Sequence, residues 1–266
     1  MMANRPARSS CLCSMVMLKQ KACPHFLIFV RVKKILRFIR RLLLWLFIAH
    51  IVYILYCWVF PPIITLTQMG SLLGGHGLHR QWVSYSQISP QVPLAVMAAE
   101  DQLFPDHNGF DWKSIEKAMA YNKRKPGRVR GASTISQQVA KNVFLWQGRS
   151  WLRKGLEVYF TFVIELLYSK QRILELYLNV AEMGEGVFGI QAAATKYYGK
   201  PAASLSAAEA AQIAACLPNP KKYTLKPLSN YVSHRSGWVL RQMAQLRADA
   251  DIAALLPSPP APAKKK

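Results

Sequence analysis

Apolar residues recur along most of this chain at the three- and four-residue spacing of amphipathic helices, and no stretch alternates cleanly at the two-residue period of a strand. The strongest such run carries charged residues between its apolar positions, which are Val163, Leu166, Leu167, Ile173, Leu174, Tyr177 and Leu178. No repeat of 20–50 residues is present, so a solenoid is not expected. The pattern predicts a mainly α-helical protein.

Capping residues indicate where several helices begin. The predicted helices are 93–104 with Pro93 in its first turn, 112–121 capped by Asp111, one starting at Ser133 or Thr134, 151–168 after Ser150, one opened by the capping box Ser206–Glu209, and a last one near 229–247. Between the second and third of these, residues 122–130 carry five basic residues and a Pro-Gly break, which predicts a loop.

One stretch is too apolar for an ordinary amphipathic helix. Residues 42–60 read LLLWLFIAHIVYILYCWVF without a Lys, Arg, Asp or Glu, and the apolar character continues to residue 66. Nineteen helical residues span ~28 Å, enough to cross the hydrocarbon core of a bilayer. A cleaved signal peptide would be shorter, would end in small residues and would start nearer the N-terminus. We therefore expect one uncleaved transmembrane helix over 42–66.

The charge distribution predicts an orientation for this helix. The net charge is +22, but residues 1–41 hold ten Lys/Arg and no acid, and three lysines end the chain. Such basicity could indicate nucleic-acid binding, yet the apolar span argues against it. Residues 31–41 before the span contain six Lys/Arg, whereas the thirty-odd residues after it contain only Arg80. The positive-inside rule therefore predicts a cytoplasmic N-terminus.

These observations divide the chain into five predicted parts. They are a basic cytoplasmic leader (1–41), the transmembrane helix (42–66), a connector with little regular structure (67–92), a helical domain (93–250) and a disordered tail (251–266). The five cysteines are Cys11, Cys13, Cys23, Cys57 and Cys216, and only the last belongs to the predicted external domain. No disulfide is expected within that domain.

Two short motifs in the chain match known signatures without their structural context. Residues 184–189 fit G-x-G-x-x-G, but the preceding sequence has a helical period, whereas a dinucleotide site needs a strand there. Residues 114–117 fit the S-x-x-K of penicillin-binding serine acyltransferases, but the chain lacks K-T-G and S-D-N. We interpret both as ordinary helix and turn residues.

Four segments combine polar groups too densely for simple core structure. The first acidic residues of the whole chain, Glu100 and Asp101, open the segment 100–109; the others are 131–142, 153–157 and 170–179. The second segment lies at a predicted helix start, where backbone N–H groups favour a phosphate. Taken singly, each could equally be a helix cap, a surface ion pair or a solvated helix face.

In this order, however, the segments resemble the family 51 glycosyltransferases, the peptidoglycan glycosyltransferases that polymerise lipid II. The resemblance covers about residues 90–221 and rests on five motifs: E-D-x-x-F-x-x-H-x-G at 100–109, G-x-S-T-I-x-Q-Q-x-x-K-N at 131–142, R-K-x-x-E at 153–157, I-L-E-x-Y-L-N at 173–179, and the glycine-rich run at 184–200. It implies a lysozyme-like α-helical glycosyltransferase domain. The single anchor and the missing transpeptidase motifs favour the monofunctional biosynthetic form.

The resemblance also implies roles for individual residues. Glu100 would be the general base and Glu157 the second carboxylate, while Asp101 and His107 would support the first-motif loop. Lys141, Arg153 and Lys154 would bind the diphosphate. The remaining predicted substrate contacts are Phe104, Ser133, Thr134, Gln137, Gln138 and Asn142. Direct displacement would invert the anomeric carbon. Mg²⁺ can assist diphosphate chemistry, but no dedicated metal-ligand set is present in the sequence.

The implied partners are lipid II, the growing glycan strand and the membrane, with division or wall-synthesis proteins as further candidates and no nucleic acid. The implied location is the bacterial inner membrane, with one pass and a periplasmic catalytic domain. Five aromatic residues could reach the lipid interface, although packing in the core is the simpler expectation: Trp146, Trp151, Tyr159, Phe160 and Phe162. A lytic enzyme that cleaves the same glycan, or a non-enzymatic membrane protein with lipid- or nucleic-acid-binding basic tails, are the alternatives.

Overall fold

The computed structural model describes residues 24–125, 127, 131–148 and 150–258, and over 24–32 the backbone alone. The predictions for the rest of the leader, for Cys11, Cys13 and Cys23, for part of the 122–130 loop and for the final residues of the tail lie outside these ranges. The chain forms two units, Met1–Val52 and Tyr53–Lys266.

The first helix, α1, runs Pro24–Val59. Its segment Lys33–Val59 is long and apolar enough to cross a membrane, with a mean hydropathy of 2.2. The sequence predicted a span reaching residue 66, but the helix ends at Val59. Phe60 precedes Pro61, and a residue before proline is disfavoured in the α conformation, while Pro61 and Pro62 cannot donate the backbone hydrogen bonds that a helix needs.

Ten further helices follow within the described residues of the second unit, and they confirm the prediction of a mainly α-helical protein. They are α2 (Leu66–Leu73), α3 (Gln91–Glu100), α4 (Trp112–Arg124), α5 (Ile135–Phe144), α6 (Trp151–Leu167), α7 (Lys170–Val180), α8 (Ile190–Tyr198), α9 (Ala207–Cys216), α10 (Asn230–Leu246) and α11 (Ala250–Leu255). Single 3₁₀ turns occur at Tyr85–Gln87 and Ala202–Ser204.

Four of the predicted helix starts are confirmed by capping hydrogen bonds, whereas the helix predicted over 93–104 begins at Gln91 without a side-chain cap and ends at Glu100. Asp111, Thr134, Ser150 and Ser206 each accept a backbone N–H from the first turn of α4, α5, α6 and α9, respectively. Thr134 and Ser206 form complete capping boxes with the side chain three residues later. Each cap satisfies an N–H group that has no partner inside its helix, which is worth about 1 kcal/mol.

Two helices occupy regions where little order was expected. Helix α2 lies in the predicted connector and is stabilised by a capping box between Thr65 and Gln68. Helix α11 lies in the predicted disordered tail, where Ile252 is fully buried and the carbonyl of Leu255 accepts a hydrogen bond from the hydroxyl of Tyr85. The expectation of irregular structure is therefore wrong for residues 67–73 of the predicted connector and for residues 251–255 of the predicted tail.

A small sheet joins the chain before α3 to the glycine-rich run. Its strands are β1 (His79–Arg80), β2 (Glu182–Gly184) and β3 (Val187–Phe188), in the order β1-β3-β2. Strand β1 pairs in parallel with β3, with His79 opposite Val187, and β2 pairs antiparallel with β3. A strand does precede Gly184, but the turn at Gly186 returns the chain antiparallel. This hairpin is not the strand–glycine–helix unit of a dinucleotide site.

Helix α3 lies at the centre of the second unit and packs against α9 and α10. Residues 92–98 are buried on every side of α3, so it is apolar all round. A second layer consists of α5 packed between α6 and α7. The two layers bring the polar end of α3 next to α5.

The last turns of α1, which belong to the second unit, are held by Tyr168 at the end of α6 and by Arg172 of α7. The guanidinium of Arg172 donates to the carbonyl oxygens of Cys57 (2.9 Å) and Phe60 (2.8 Å), and the Tyr168 hydroxyl donates to the carbonyl of Ile54 (2.6 Å). The carbonyls of Cys57 and Phe60 lie at the helix end, where they lack intrahelical partners and where a cation is favoured by the helix dipole. The last turns of α1 thus fold as part of the second unit.

Candidate active site

Glu100 is the last residue of α3, so its carboxylate emerges where a buried helix reaches a cleft. Its Oε2 accepts a hydrogen bond of 2.7 Å from the side-chain amide of Gln138 on α5. Burial raises the pKa of Glu100 above its usual value, and this effect exceeds the opposing one of the Gln138 hydrogen bond. A carboxylate with a raised pKa is a stronger base than one in water.

Charged groups around Glu100 act on its pKa in both directions. Arg235 of α10 and Lys141 of α5 lower the pKa of Glu100, whereas the neighbouring Asp101 raises it. Arg235 donates to the carbonyl of Ala99 (3.2 Å), and its guanidinium lies 3.8 Å from the centre of the Trp238 ring. Its Nε is buried and has no hydrogen-bond partner among the described residues. Arg235 is thus held beside Glu100 by stacking and by one backbone contact.

Asp101 is buried, and both oxygens of its carboxylate form hydrogen bonds to other groups of the protein. Its carboxylate accepts the backbone N–H of Ile135 (2.9 Å) and contacts His107 Nε2 at 3.0 and 3.1 Å. The other ring nitrogen of His107 accepts the N–H of Gly109 (3.1 Å), so Nε2 carries the proton and donates to Asp101. This pair ties the loop after α3 to the start of α5.

The rest of that loop is held by Gly109 and Lys170. Gly109 has φ +88°, and a Cβ there would lie 2.7 Å from Cγ2 of Thr161, so only glycine fits. Its carbonyl accepts the hydroxyl of Thr134 (2.7 Å). Lys170 donates to the carbonyl of His107, forms an ion pair with Glu165 (2.9 Å) and lies 4.5 Å from the centre of the Phe104 ring. Phe104 itself is fully buried beneath this cation.

At the N-terminus of α5, some polar side chains are already hydrogen-bonded within the protein and others are accessible to solvent. Thr134 and Gln137 are buried, and each uses its side chain in the capping box. Ser136 bonds to Glu165, whereas Ser133 is exposed. Gln138 bridges Glu100 and the hydroxyl of Tyr177 (3.3 Å).

An open cavity of about 530 Å³ lies along the next turns of α5. Gln138, Lys141 and Asn142 line one side of it. Burial lowers the pKa of Lys141, while the carboxylates of Glu157 and Glu100 act in the opposite direction. Lys141 therefore lies within electrostatic reach of both predicted catalytic carboxylates.

The third motif forms an ion cluster around the buried Glu157 on the first turns of α6. Glu157, only 3% exposed, accepts from Arg153 (2.7 Å) and from Lys154 (2.5 Å). Arg153 is also buried, and its Nε has no partner among the described residues. With Lys141, three cations share one carboxylate here, so the cluster keeps a positive excess suited to an anion.

The structure thus brings Glu100, Gln138 and Lys141 together. Lys141 also interacts electrostatically with the ion cluster around Glu157. Four contributing residues escaped the sequence prediction of the site: Lys170, Tyr177, Glu165 and Arg235. The first two belong to a motif that was noted but could not be placed in space, and no local pattern distinguishes the other two. Among the described residues, no group of three or more His, Cys, Asp or Glu side chains is arranged to hold a metal ion.

A carboxylate with a raised pKa at the end of a buried helix, next to cations with excess charge, is an arrangement suited to an enzyme that transfers a group and releases an anion. Comparison with known proteins identifies this class. Residues 67–244 match the family described as transglycosylase. The chain is 54% identical over 194 residues to the biosynthetic peptidoglycan transglycosylase of Salmonella enteritidis PT4, covering 72% of this chain and 80% of that protein. It is 55% identical over 192 residues to the protein of that name from Xanthomonas campestris pv. campestris strain B100, covering 70% and 78%.

The chain belongs to the transglycosylase family and is a glycosyltransferase. This membership confirms the predicted lysozyme-like helical fold. The family match begins at residue 67, so it includes the predicted connector over 67–92.

Proposed function

We propose that the protein polymerises lipid II into the glycan strands of the bacterial cell wall and releases undecaprenyl diphosphate. The observation that carries this proposal is the half-buried Glu100, with its raised pKa, beside the cation cluster of Lys141, Arg153 and Lys154. A lytic enzyme would need a catalytic carboxyl group but not the cations, because its leaving group is a sugar hydroxyl. The name of the relatives, biosynthetic peptidoglycan transglycosylase, supports the same choice.

In the proposed reaction the 4-hydroxyl of one lipid-linked disaccharide attacks the anomeric carbon of the growing strand. Glu100 takes the hydroxyl proton as the new C–O bond forms and the bond to the diphosphate oxygen breaks. Attack from the side opposite the leaving group inverts the anomeric carbon. Gln138 fixes the carboxylate through its 2.7 Å hydrogen bond and is itself bonded to Tyr177.

The departing diphosphate takes the electron pair and carries negative charge away from the sugar. Lys141, Arg153 and Lys154 stabilise this charge, and their geometry is set before the substrate arrives because Glu157 already holds two of them. Glu157 therefore acts in this proposal by orienting cations.

The other predicted site residues divide into two groups. Asp101, Phe104, His107, Thr134 and Gln137 form the bonds and packing described above, so a direct contact with substrate would require those interactions to open; we assign them to support of the site. Ser133, Gln138 and Asn142 have exposed surface or line the cavity, and we assign them to substrate contact.

The membrane arrangement follows from the span and from helix α6. We propose a single pass in the bacterial inner membrane, with a cytoplasmic N-terminus and a periplasmic catalytic unit, as the positive-inside rule predicts. Along α6, Trp151 (93% exposed) and Phe162 are the aromatic residues that would enter the lipid interface. Phe160 instead stacks on Phe144 at 4.8 Å. Cleavage by protease added to spheroplasts, but not to intact cells, would test this orientation.

The enzymatic test uses the full chain in detergent with labelled lipid II. Wild type should form polymer, and Glu100→Gln should lower the rate by about a hundredfold or more, because the amide cannot accept the proton. Glu116→Gln, an exposed carboxylate of α4, is the matched control and should retain full activity. Absence of polymer with wild type, or equal activity of Glu100→Gln, would refute the proposal. Release of fragments from preformed glycan would identify the lytic alternative.

A further inference from the structure

The open cavity beside Lys141 has a second wall that the motif residues do not form. Thr67, Gly70 and Ser71 of α2 line it opposite α5, within the predicted connector. A volume of about 530 Å³ is within the range of small-molecule binding sites. The cavity therefore continues the cleft away from the catalytic carboxylate and toward α2.

Helix α2 is a fixed wall because its polar groups are tied down. Thr65 and Gln68, both buried, form the capping box, and Gln68 also accepts from Arg80 (3.0 Å). The hydroxyl of Ser71 donates to the carbonyl of Gly77 (2.9 Å). At the far end of α5, the Gln147 amide donates to the hydroxyl of Thr67 (2.7 Å), which links the two walls. An eight-residue helix with this many anchors offers a preformed surface.

Gly70 has no evident structural reason to be glycine. It lies inside a helix and does not adopt a positive φ, and a Cβ built there meets no atom of the described residues within 4 Å. A glycine inside a helix costs about 0.5–1 kcal/mol relative to alanine. The absent side chain instead leaves space in the cavity, which points to a ligand that approaches the backbone of α2.

The lining of the cavity indicates the chemistry of that ligand. Neutral hydrogen-bonding groups predominate near α2, including Thr67, Asn142 and Gln147. Elsewhere in the lining, Lys141 and Lys221 supply positive charge and Glu182 supplies one carboxylate. Hydroxyl and amide groups suit a sugar, and a lysine at one end suits an attached phosphate. The geometry points to the α2 wall (Thr67, Gly70 and Ser71) as a binding surface for the sugar part of the lipid-linked substrate, with the diphosphate at Lys141. This inference rests on the proposed function.

Filling the space at Gly70 tests the inference. In detergent, Gly70→Leu should raise KM for lipid II by about tenfold or more, with Gly70→Ala giving a smaller increase. Its melting temperature should equal or exceed that of wild type, because a helical glycine has been removed. Gly237→Leu is the matched control: it lies within α10, and a Cβ there makes only an ordinary 3.9 Å contact with Arg241. The control should keep the wild-type KM.

Binding affinities for two ligands, one with and one without the sugar, show which part of the substrate contacts Gly70. Gly70→Leu should weaken binding of lipid II while leaving binding of undecaprenyl diphosphate, which has no sugar, unchanged. Equal weakening of both ligands would overturn the assignment to sugar, and an unchanged KM in a folded Gly70→Leu protein would overturn the site itself. If wild type formed no polymer, the proposed function would fail instead, so the two failures are distinguishable.

Discussion

Replacement of Glu157 should separate its effect on folding from its effect on the reaction. The carboxylate is 3% exposed and accepts from both Arg153 and Lys154. Glu157→Gln removes the negative charge but keeps a similar shape and one acceptor oxygen. Arg153 then remains buried with its charge uncompensated, and its Nε already lacks a partner among the described residues.

The size of the destabilisation is set mainly by Arg153. Removing one partner of a buried ion pair costs about 3–5 kcal/mol, because the remaining charge stays in a poorly solvated place. We expect about 3 kcal/mol for Glu157→Gln, since the amide oxygen can still accept one hydrogen bond, and about 5 kcal/mol for Glu157→Ala. The half-exposed Lys154 adds little, because water replaces its lost partner.

Denaturant unfolding in detergent, followed by circular dichroism, measures this cost. The double variant Arg153→Leu/Glu157→Leu should recover most of the stability, because it removes both charges, but it should remain inactive. A second readout is the pH dependence of kcat/KM. Glu157 raises the pKa of Lys141, so in Glu157→Gln the ammonium of Lys141 should lose its proton at lower pH. The alkaline limb of the kcat/KM profile should therefore move to lower pH. Loss of less than about 1 kcal/mol in Glu157→Gln, with an unmoved alkaline limb, would refute this reasoning.

Two further predictions concern the surroundings of Glu100. Gly109→Ala should lower the free energy of unfolding by about 2–4 kcal/mol, because it adds left-handed backbone strain and a 2.7 Å clash with Thr161. Gly199→Ala, at φ +66° in open space, should lower it by only about 1 kcal/mol. Equal losses of stability in denaturant unfolding would contradict the clash. Arg235→Gln should move the acid limb of kcat/KM to higher pH, because Arg235 lowers the pKa of Glu100, and Arg235→Lys should restore part of the shift. A fall in rate without any movement of the limb would indicate a purely structural role.

Local chemistry allowed most helices to be predicted from sequence. Caps such as Asp111 and Ser150 act within four residues, so they can be recognised without tertiary information. Helix α2 was overlooked although Thr65 and Gln68 have capping-box spacing, because eight residues with two glycines nearby give too weak a period. Helix α11 was hidden by the proline-rich composition that follows it. Strands of two or three residues are too short to show any alternation.

The candidate site was predicted only as far as its motifs extend. Glu100, Lys141 and Glu157 lie in compact sequence patterns, but the contact between Gln138 and Glu100 spans 38 residues and depends on how α3 meets α5. Arg235 lies in an ordinary amphipathic helix, and only the packing of α10 on α3 brings it to Ala99. Such contacts arise from tertiary structure and leave no local trace.

The hydrogen bonds from Arg172 and Tyr168 to the last turns of α1 determine where the chain can be shortened to make a water-soluble form of the enzyme. Ile54 and Cys57 are fully buried in the second unit although they belong to the apolar helix. A chain that starts near Pro61, just after the end of α1, would lack Ile54 and Cys57 and so expose the core residues that they cover. It would also lack the carbonyls of Cys57 and Phe60 that accept hydrogen bonds from Arg172. Expression should therefore begin before Tyr53, with the outward-facing apolar residues of that short helical stub replaced by polar ones.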